Sequence, residues 1–208
     1  MRRSGVSASS PRAGFANRAR VVRSVMSNAA QQVLDSSQFL TWAEGRSGKW
    51  ELRDGYPVLM APERALHALT KYAAQKSLDA AIAKAHLPCR MFPDGMTVRV
   101  GQRNAFEPDA LVVCPPPPPD AIEIPDPVIM VEVLSPSTAA VDHGAKLRGY
   151  FSLPSVMHYL ILDPDARSLI HHKRGKGDII ETRILGEGML RLDPPGIEVA
   201  VADMFAPP

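Results

Sequence analysis

Apolar and polar positions change period several times along this chain, and those changes divide it into elements. Residues 49–61, "KWELRDGYPVLMA", alternate on both sides of Asp54-Gly55 and read as a β-hairpin. Before it, "SSQFLTWAEG" (36–45) reads as a short helix opened by Ser36 or Ser37. After it, residues 62–86 form the longest helical stretch, with Pro62 at its start and Leu66, Leu69, Ala73, Ile82 and Ala85 along an apolar stripe. Beyond Pro88 the period drops to two. "CRMF", "MTVRVG" and "PDALVVC" (108–114) read as strands, followed by a proline-rich surface spacer over 115–127. "VIMVEVLS" (128–135) is the central strand, and "TAAVDHGAKLRGYFSL" (138–153) is a helix capped by Ser137 or Thr138 and weakened by Gly144 and Gly149. "MHYLILD" (157–163), "SLIHHKR" (168–174) and "IIETRIL" supply further strands joined by tight turns, and short strand pieces follow. No repeat or linker interrupts residues 36–205. One α/β (α+β) domain over 35–208 follows, with a mixed β-sheet core flanked by helices and preceded by the β-hairpin.

Composition narrows the class. Apolar residues make up 45% and charged residues 22% of the 208, enough for a real core. No stretch approaches the ~18 apolar residues a membrane helix needs. The net charge of +2 conceals an asymmetry. Arg2, Arg3, Arg12, Arg18, Arg20 and Arg23 precede the first acid, Asp35; without those six, 24 − 6 = 18 basic residues face 22 acidic ones. The folded part is therefore acidic, which weighs against a simple DNA-binding module with a basic face. Residues 1–34 read as a disordered basic tail, and Met26 is an alternative start. No secretory signal is visible, so a cytoplasmic location is expected. Cys89 and Cys114 form no CxxC and no zinc spacing, and are expected as two half-buried free thiols.

The chemistry is concentrated around Glu132. It sits in the middle of "VIMVEVLSPST", where a buried carboxylate must pair, bind a metal or take up a proton. Asp109 opens the preceding strand candidate, and Lys146 lies on the helix after Glu132. If the two strands pair, Asp109 and Glu132 are neighbours, and a cation between them relieves their repulsion; Mg²⁺ suits such oxygen donors. A lysine beside the metal-bound water completes a phosphodiester-hydrolysis site. The plainer alternatives are a turn-capping Asp109 and an exposed Asp142–Lys146 helix pair. His67, Lys71 and Gln75 follow one another at helical spacing and read as a surface stripe, with His67 a weak site candidate. His171 and His172 point to opposite faces of a strand and cannot share a metal. "SPST" is not a nucleophile elbow, and "RGKGD" is a hairpin turn.

The combination "EPDALVV…PVIMVEVLSPSTAAVDHGAKLRGYFSLPSVMHYLILDP", together with "WELRDGYPVLMAP" upstream, resembles the Uma2 family of restriction endonuclease-like proteins, placed among the PD-(D/E)XK nucleases. The resemblance runs from about residue 38 to 205. It implies a restriction-endonuclease-like fold and a Mg²⁺-dependent endonuclease acting on DNA, with Mn²⁺ as a substitute ion. It places the catalytic roles on Asp109 and Glu132, and the metal on Asp109, Glu132 and the backbone carbonyl of Val133. The superfamily lysine stands two residues after the second acid, where this chain has Leu134. Lys146 is the residue expected to replace it, with Tyr150 and His67 as accessory groups. DNA is the expected partner, and a homodimer is left open. The alternatives are a non-catalytic descendant that keeps the fold as a binding or assembly module, and a nuclease for RNA or small nucleotides.

Overall fold

The computed structural model describes residues 33–135 and 143–207. The disordered-tail expectation therefore falls almost wholly outside the described residues. Its last position, Leu34, belongs to the fold instead: it is buried against Phe39, Leu52 and Ala105, and its N–H bonds Gly55 O at 2.8 Å.

Helix α1 (Ser36–Ala43) is capped by Asp35 rather than by a serine. Its carboxylate accepts the N–H groups of Ser37 and Gln38, while the Gln38 side chain returns to the Asp35 N–H, a reciprocal capping box. The hairpin forms as expected from β1 (Trp50–Arg53) and β2 (Tyr56–Leu59). Gly55 takes the turn at φ +89°, a conformation that favours glycine. Helix α2 spans Ala65–Ala85, starting three residues after Pro62. Its buried face carries Thr70, Lys71, Ala74, Leu78, Ala81 and Ile82, while Leu66 and Leu69 are exposed. Of the expected stripe Ile82 is buried and the leucines are not: in an alanine-rich helix several phases place apolar residues on one side, and packing selects among them.

Next come β3 (Arg90–Pro93), β4 (Val98–Arg99), β5 (Ala105–Phe106), β6 (Ala110–Val113) and β7 (Pro127–Val133). The two-residue β5 carried no readable period. Helix α3 (His143–Ser152) leads to β8 (His158–Asp163), β9 (Ser168–Arg174), β10 (Ile180–Leu185), β11 (Met189–Leu192), β12 (Ile197–Ala200) and a 3-10 turn at Val201–Met204. The proposed caps Ser137 and Thr138 lie outside the described residues.

The main sheet has six strands in the order β10-β9-β8-β7-β6-β3. Only β7 and β8, on either side of α3, pair in parallel; the other neighbours are antiparallel, so the sheet is mixed. The hairpin extends into a second sheet, β2-β1-β5-β4. Alternation along β7 sends Ile129, Val131 and Val133 towards α2 and β12, and Met130 towards Tyr150 of α3 and Phe106. A strand covered on both faces reads as a continuous apolar run, which is why "VIMV" shows no alternation. Gly149 lets α3 approach β5: a Cβ there would come within 3.0 Å of Phe106 and Val100 side-chain atoms.

Cys89 and Cys114 are joined in a disulfide, correcting the expectation of free thiols. The ladder explains the pairing. Arg90 lies opposite Val113, so the next step brings residues 89 and 114 face to face. Nothing in their spacing of 25 could have indicated that register.

On the α2 side, His158 and His171 form a buried pair. His158 Nε2 lies 2.9 Å from Pro194 O, which can only accept, so Nε2 carries the proton. His158 Nδ1 then accepts from His171 Nε2 at 2.9 Å, and His171 Nδ1 is left without a partner. Burial pushes both imidazoles down to about 4. The unfolded chain takes up these protons near pH 6.5 and the folded chain only near 4, so their stabilising contribution is full above 6.5 and falls away as pH drops through that window. Urea midpoints at pH 7.5, 6 and 5 should show wild type losing stability relative to His158→Gln/His171→Gln as pH falls. Parallel pH curves for the two proteins would refute the assignment.

Candidate functional site

Three elements meet around the C-terminal end of β7. Extending the β6–β7 register by one step from Ala110–Val131 sets Asp109 opposite Glu132. Asp109 is fixed there by its backbone N–H to Val131 O, 3.0 Å, and by its Oδ2, which accepts the Val133 N–H at 2.8 Å. Both acids line one cleft of about 480 Å³ with Lys49, Glu63, His67, Asp94, Glu107, Leu134, Lys146 and Tyr159.

Glu132 points to the α3 side, and α3 answers its charge. Lys146 Nζ lies 2.8 Å from Glu132 Oε1, and the Tyr150 hydroxyl donates to the same oxygen at 2.6 Å. Lys146 and Tyr150 are four apart, so both side chains leave the same helix face. Lys146 is 5% exposed and is not the outer half of a helix pair; Asp142 lies outside the described residues. Burial pushes the Glu132 carboxyl up to about 7; Lys146 pulls it down, while Asp109 and Glu51 push it further up.

Sequence reading missed Glu51, and with it Lys49, Glu63 and Asp94 of the cleft. Glu51 sits on β1, fully buried, and its Oε1 lies 3.0 Å from Lys146 Nζ. Arg53 binds its Oε2 through Nε and Nη2, at 3.1 and 2.7 Å, and the Glu107 N–H reaches Oε1 at 3.3 Å. Burial alone would raise the Glu51 carboxyl, but Lys146 and Arg53 together bring it below its ordinary value. Glu107 is raised by burial, which outweighs the pull of Lys49 and Lys146. Hairpin alternation marks Glu51 as polar-facing, and nothing local reveals that this face is buried against Lys146 of α3.

On the other side of Asp109, α2 turns His67, Lys71 and Gln75 inward, correcting the surface-stripe reading. His67 Nε2 lies 3.0 Å from Val133 O and 3.6 Å from Asp109 Oδ2. Gln75 donates to Asp109 O at 2.8 Å. Lys71 is bound by Glu63 and by Asp94 at 3.0 Å; burial would lower its pKa, but these acids raise it. Lys49 lies 3.6 Å from Asp94 and 3.8 Å from Asp109. Glu63 is four residues before His67, a spacing visible in the sequence once the inward face is known.

Glu63, His67 and Asp109 offer donor atoms that all lie within 4.8 Å of one another, and the buried His67 Nδ1 has no hydrogen-bond partner. Two carboxylates and an imidazole, whose Nδ1 lies 3.5 Å from Glu63 Oε2, fit a divalent cation. Asp109 and the Val133 carbonyl face His67, and the Oε1 of Glu132 is held by Lys146 and Tyr150. The chemistry open to this arrangement is ion binding beside a cation-held carboxylate.

A family model, Uma2, described as "Putative restriction endonuclease", matches residues 36–202. The chain is 28% identical over 174 residues to the uncharacterized protein slr1290 of Synechocystis sp., covering 81% of this chain and 89% of that one. Its fold is similar to a crystal structure from Anabaena variabilis described as "a putative nuclease belonging to DUF820". That match has a TM-score of 0.64 at 15% identity, over 81% of this chain and 96% of the other, and bears on fold alone.

Because Lys146 serves two buried carboxylates, Lys146→Ala should destabilise the protein by about 3–5 kcal/mol at pH 7.5. The penalty should shrink towards pH 5, where Glu132, without its lysine, can take up a proton. Denaturant titrations of both proteins at the two pH values measure it, and a loss under about 1 kcal/mol at pH 7.5 would contradict the buried triad.

Proposed function

Since the chain belongs to the Uma2 family, we propose that this cleft hydrolyses phosphodiester bonds of DNA with a divalent cation as cofactor. The observation that supports it most is the meeting of Glu63, His67 and Asp109 with the Lys146–Glu132 pair in one cleft. Asp109, His67, Glu63 and the Val133 carbonyl are the groups that would hold the ion. An imidazole among the donors makes Mn²⁺ at least as suitable as Mg²⁺. When bound, such an ion supplies Lewis acidity towards a phosphoryl oxygen and lowers the pKa of a water.

The chain's own groups have distinct tasks. Tyr150 and Lys146 hold Glu132 Oε1 in one orientation, so the carboxylate is preset to receive or align a water at the cleft floor. Lys146 occupies the functional space that Leu134 cannot fill, reaching it from α3 instead of from the strand. Its charge, shared between Glu132 and Glu51, lies in the cleft wall. Lys49 lines the cleft at 23% side-chain exposure and is a cation within reach of a backbone phosphate.

The second reading, a binding module without catalysis, is favoured by one observation: Lys146 is already paired with two carboxylates. The two readings separate experimentally. Calorimetric titration with Mn²⁺ and Mg²⁺ should give saturable binding that His67→Ala and Asp109→Asn each weaken at least about tenfold, the scale of losing one ligand or its support. Single-turnover assays on supercoiled, linear and single-stranded DNA and on RNA should show cation-dependent cleavage of a DNA form. Glu132→Ala should abolish it, and Lys146→Ala should lower it by about 10²-fold per folded molecule. Binding without cleavage of any DNA form makes the module reading correct, and cleavage confined to RNA moves the substrate class.

A further inference from the structure

The six-stranded sheet has an open edge at β10, which pairs only with β9 among the described residues. Edge strands are normally blunted by lysine, proline, a bulge or a short length. β10, "IETRIL", is six residues long, has neither lysine nor proline, and keeps an unbroken register with β9. It also exposes apolar side chains: Ile180 is 37% and Ile184 73% exposed, with Ile179 just before them exposed as well.

The direction of its free backbone groups follows from the neighbouring ladder. Arg174 gives its N–H to Met157 O at 2.9 Å, on the β8 side, so it does not exchange hydrogen bonds with Ile180, its partner across β9–β10. One step on, the Gly175 N–H does reach Ile179 O, at 2.8 Å. Antiparallel ladders alternate between bonded and non-bonded pairs. The N–H and C=O groups of Ile180, Thr182 and Ile184 therefore point away from β9, to the open edge.

We propose that β10 is a homodimer interface, pairing antiparallel with β10 of a second copy about a two-fold axis at Thr182. The sequence selects that register. Two-fold antiparallel pairing that matches the outward groups centres on residue 181, 182 or 183. A centre at Glu181 sets Glu181 against itself, and a centre at Arg183 sets Arg183 against itself; like charges directly opposite are destabilising. A centre at Thr182 sets Glu181 against Arg183 of the other copy, twice by symmetry. It sets Ile180 against Ile184, also twice, on the opposite face, with the two Thr182 residues between them. Each pair formed by the outward residues then exchanges two hydrogen bonds. The exposed isoleucines cover one another, and the edge that would template aggregation is closed by an isologous contact.

Charge exchange tests the interface without touching the cleft, because Glu181 and Arg183 are exposed in the monomer. Sedimentation of the full chain over a concentration series should show a reversible dimer. Glu181→Arg alone and Arg183→Glu alone each turn both charge pairs into like-charge pairs, and should weaken dimerisation at least about tenfold. The double exchange, Glu181→Arg with Arg183→Glu, restores opposite charges in the same register and should recover the wild-type dimer. Thermal melts of all four proteins verify that the monomer fold is kept. A wild type that stays monomeric throughout, or a dimer indifferent to the single exchanges, overturns the proposal. So does a double exchange no better than either single one.

Discussion

One ammonium group holds two sheets together. Lys146 lies between Glu132 of the main sheet and Glu51 of the hairpin sheet, at 2.8 and 3.0 Å, with almost no water access. Burying three charges is costly, and it is tolerated only when the remaining donors and acceptors are also met. Here they are met from the surroundings: Arg53 takes the far oxygen of Glu51, the Glu107 N–H approaches its near one, and Tyr150 shares Oε1 of Glu132 with the lysine. Each of these groups arrives on a different element. The hairpin, the β5–β6 connection, the central strand and α3 must therefore all be in place before any one of the charges is stable.

Asp109 is where this arrangement meets a second one. On its α2 side, Lys49 and Lys71 face Asp94, Glu63 and Asp109 in a network of alternating sign. On its β7 side stands Glu132, which Asp109 repels and whose carboxyl it helps to raise. The aspartate is held by backbone as much as by charge, through the Val133 N–H and its own N–H to Val131. Its position is thus set by the sheet ladder, and its neighbours are arranged around it.

The strands, the two longer helices and the hairpin were legible because period and turn chemistry are local properties. Glu132 stood out for the same reason, as a charge inside an apolar run. What was not legible depended on long-range packing. The α2 stripe was assigned the wrong phase because alanine fits either side, so Leu66 and Leu69 were taken for core and His67, Lys71 and Gln75 for surface. Glu51 looked like any polar residue of a hairpin, since its burial against Lys146 comes from α3, remote in sequence. The family resemblance pointed to Asp109 and Glu132 and the charge pattern to Lys146; all three line one cleft with His67, while the buried Tyr150 holds Glu132 from behind.

The cross-link between Cys89 and Cys114 closes a ring of backbone, and the ring contains Asp94, Glu107 and Asp109. A single peptide bond cut anywhere inside it leaves the molecule in one covalent piece. The cleft's acids from this stretch would stay tethered to β3 and β6 after such a nick, and the cut ends could not diffuse apart until the sulfur–sulfur bond was reduced. Such a nick adds only a water and is thereby hidden from size separations under non-reducing conditions, while the same cut in the loop beyond Pro115 would rely on packing alone to keep its halves together.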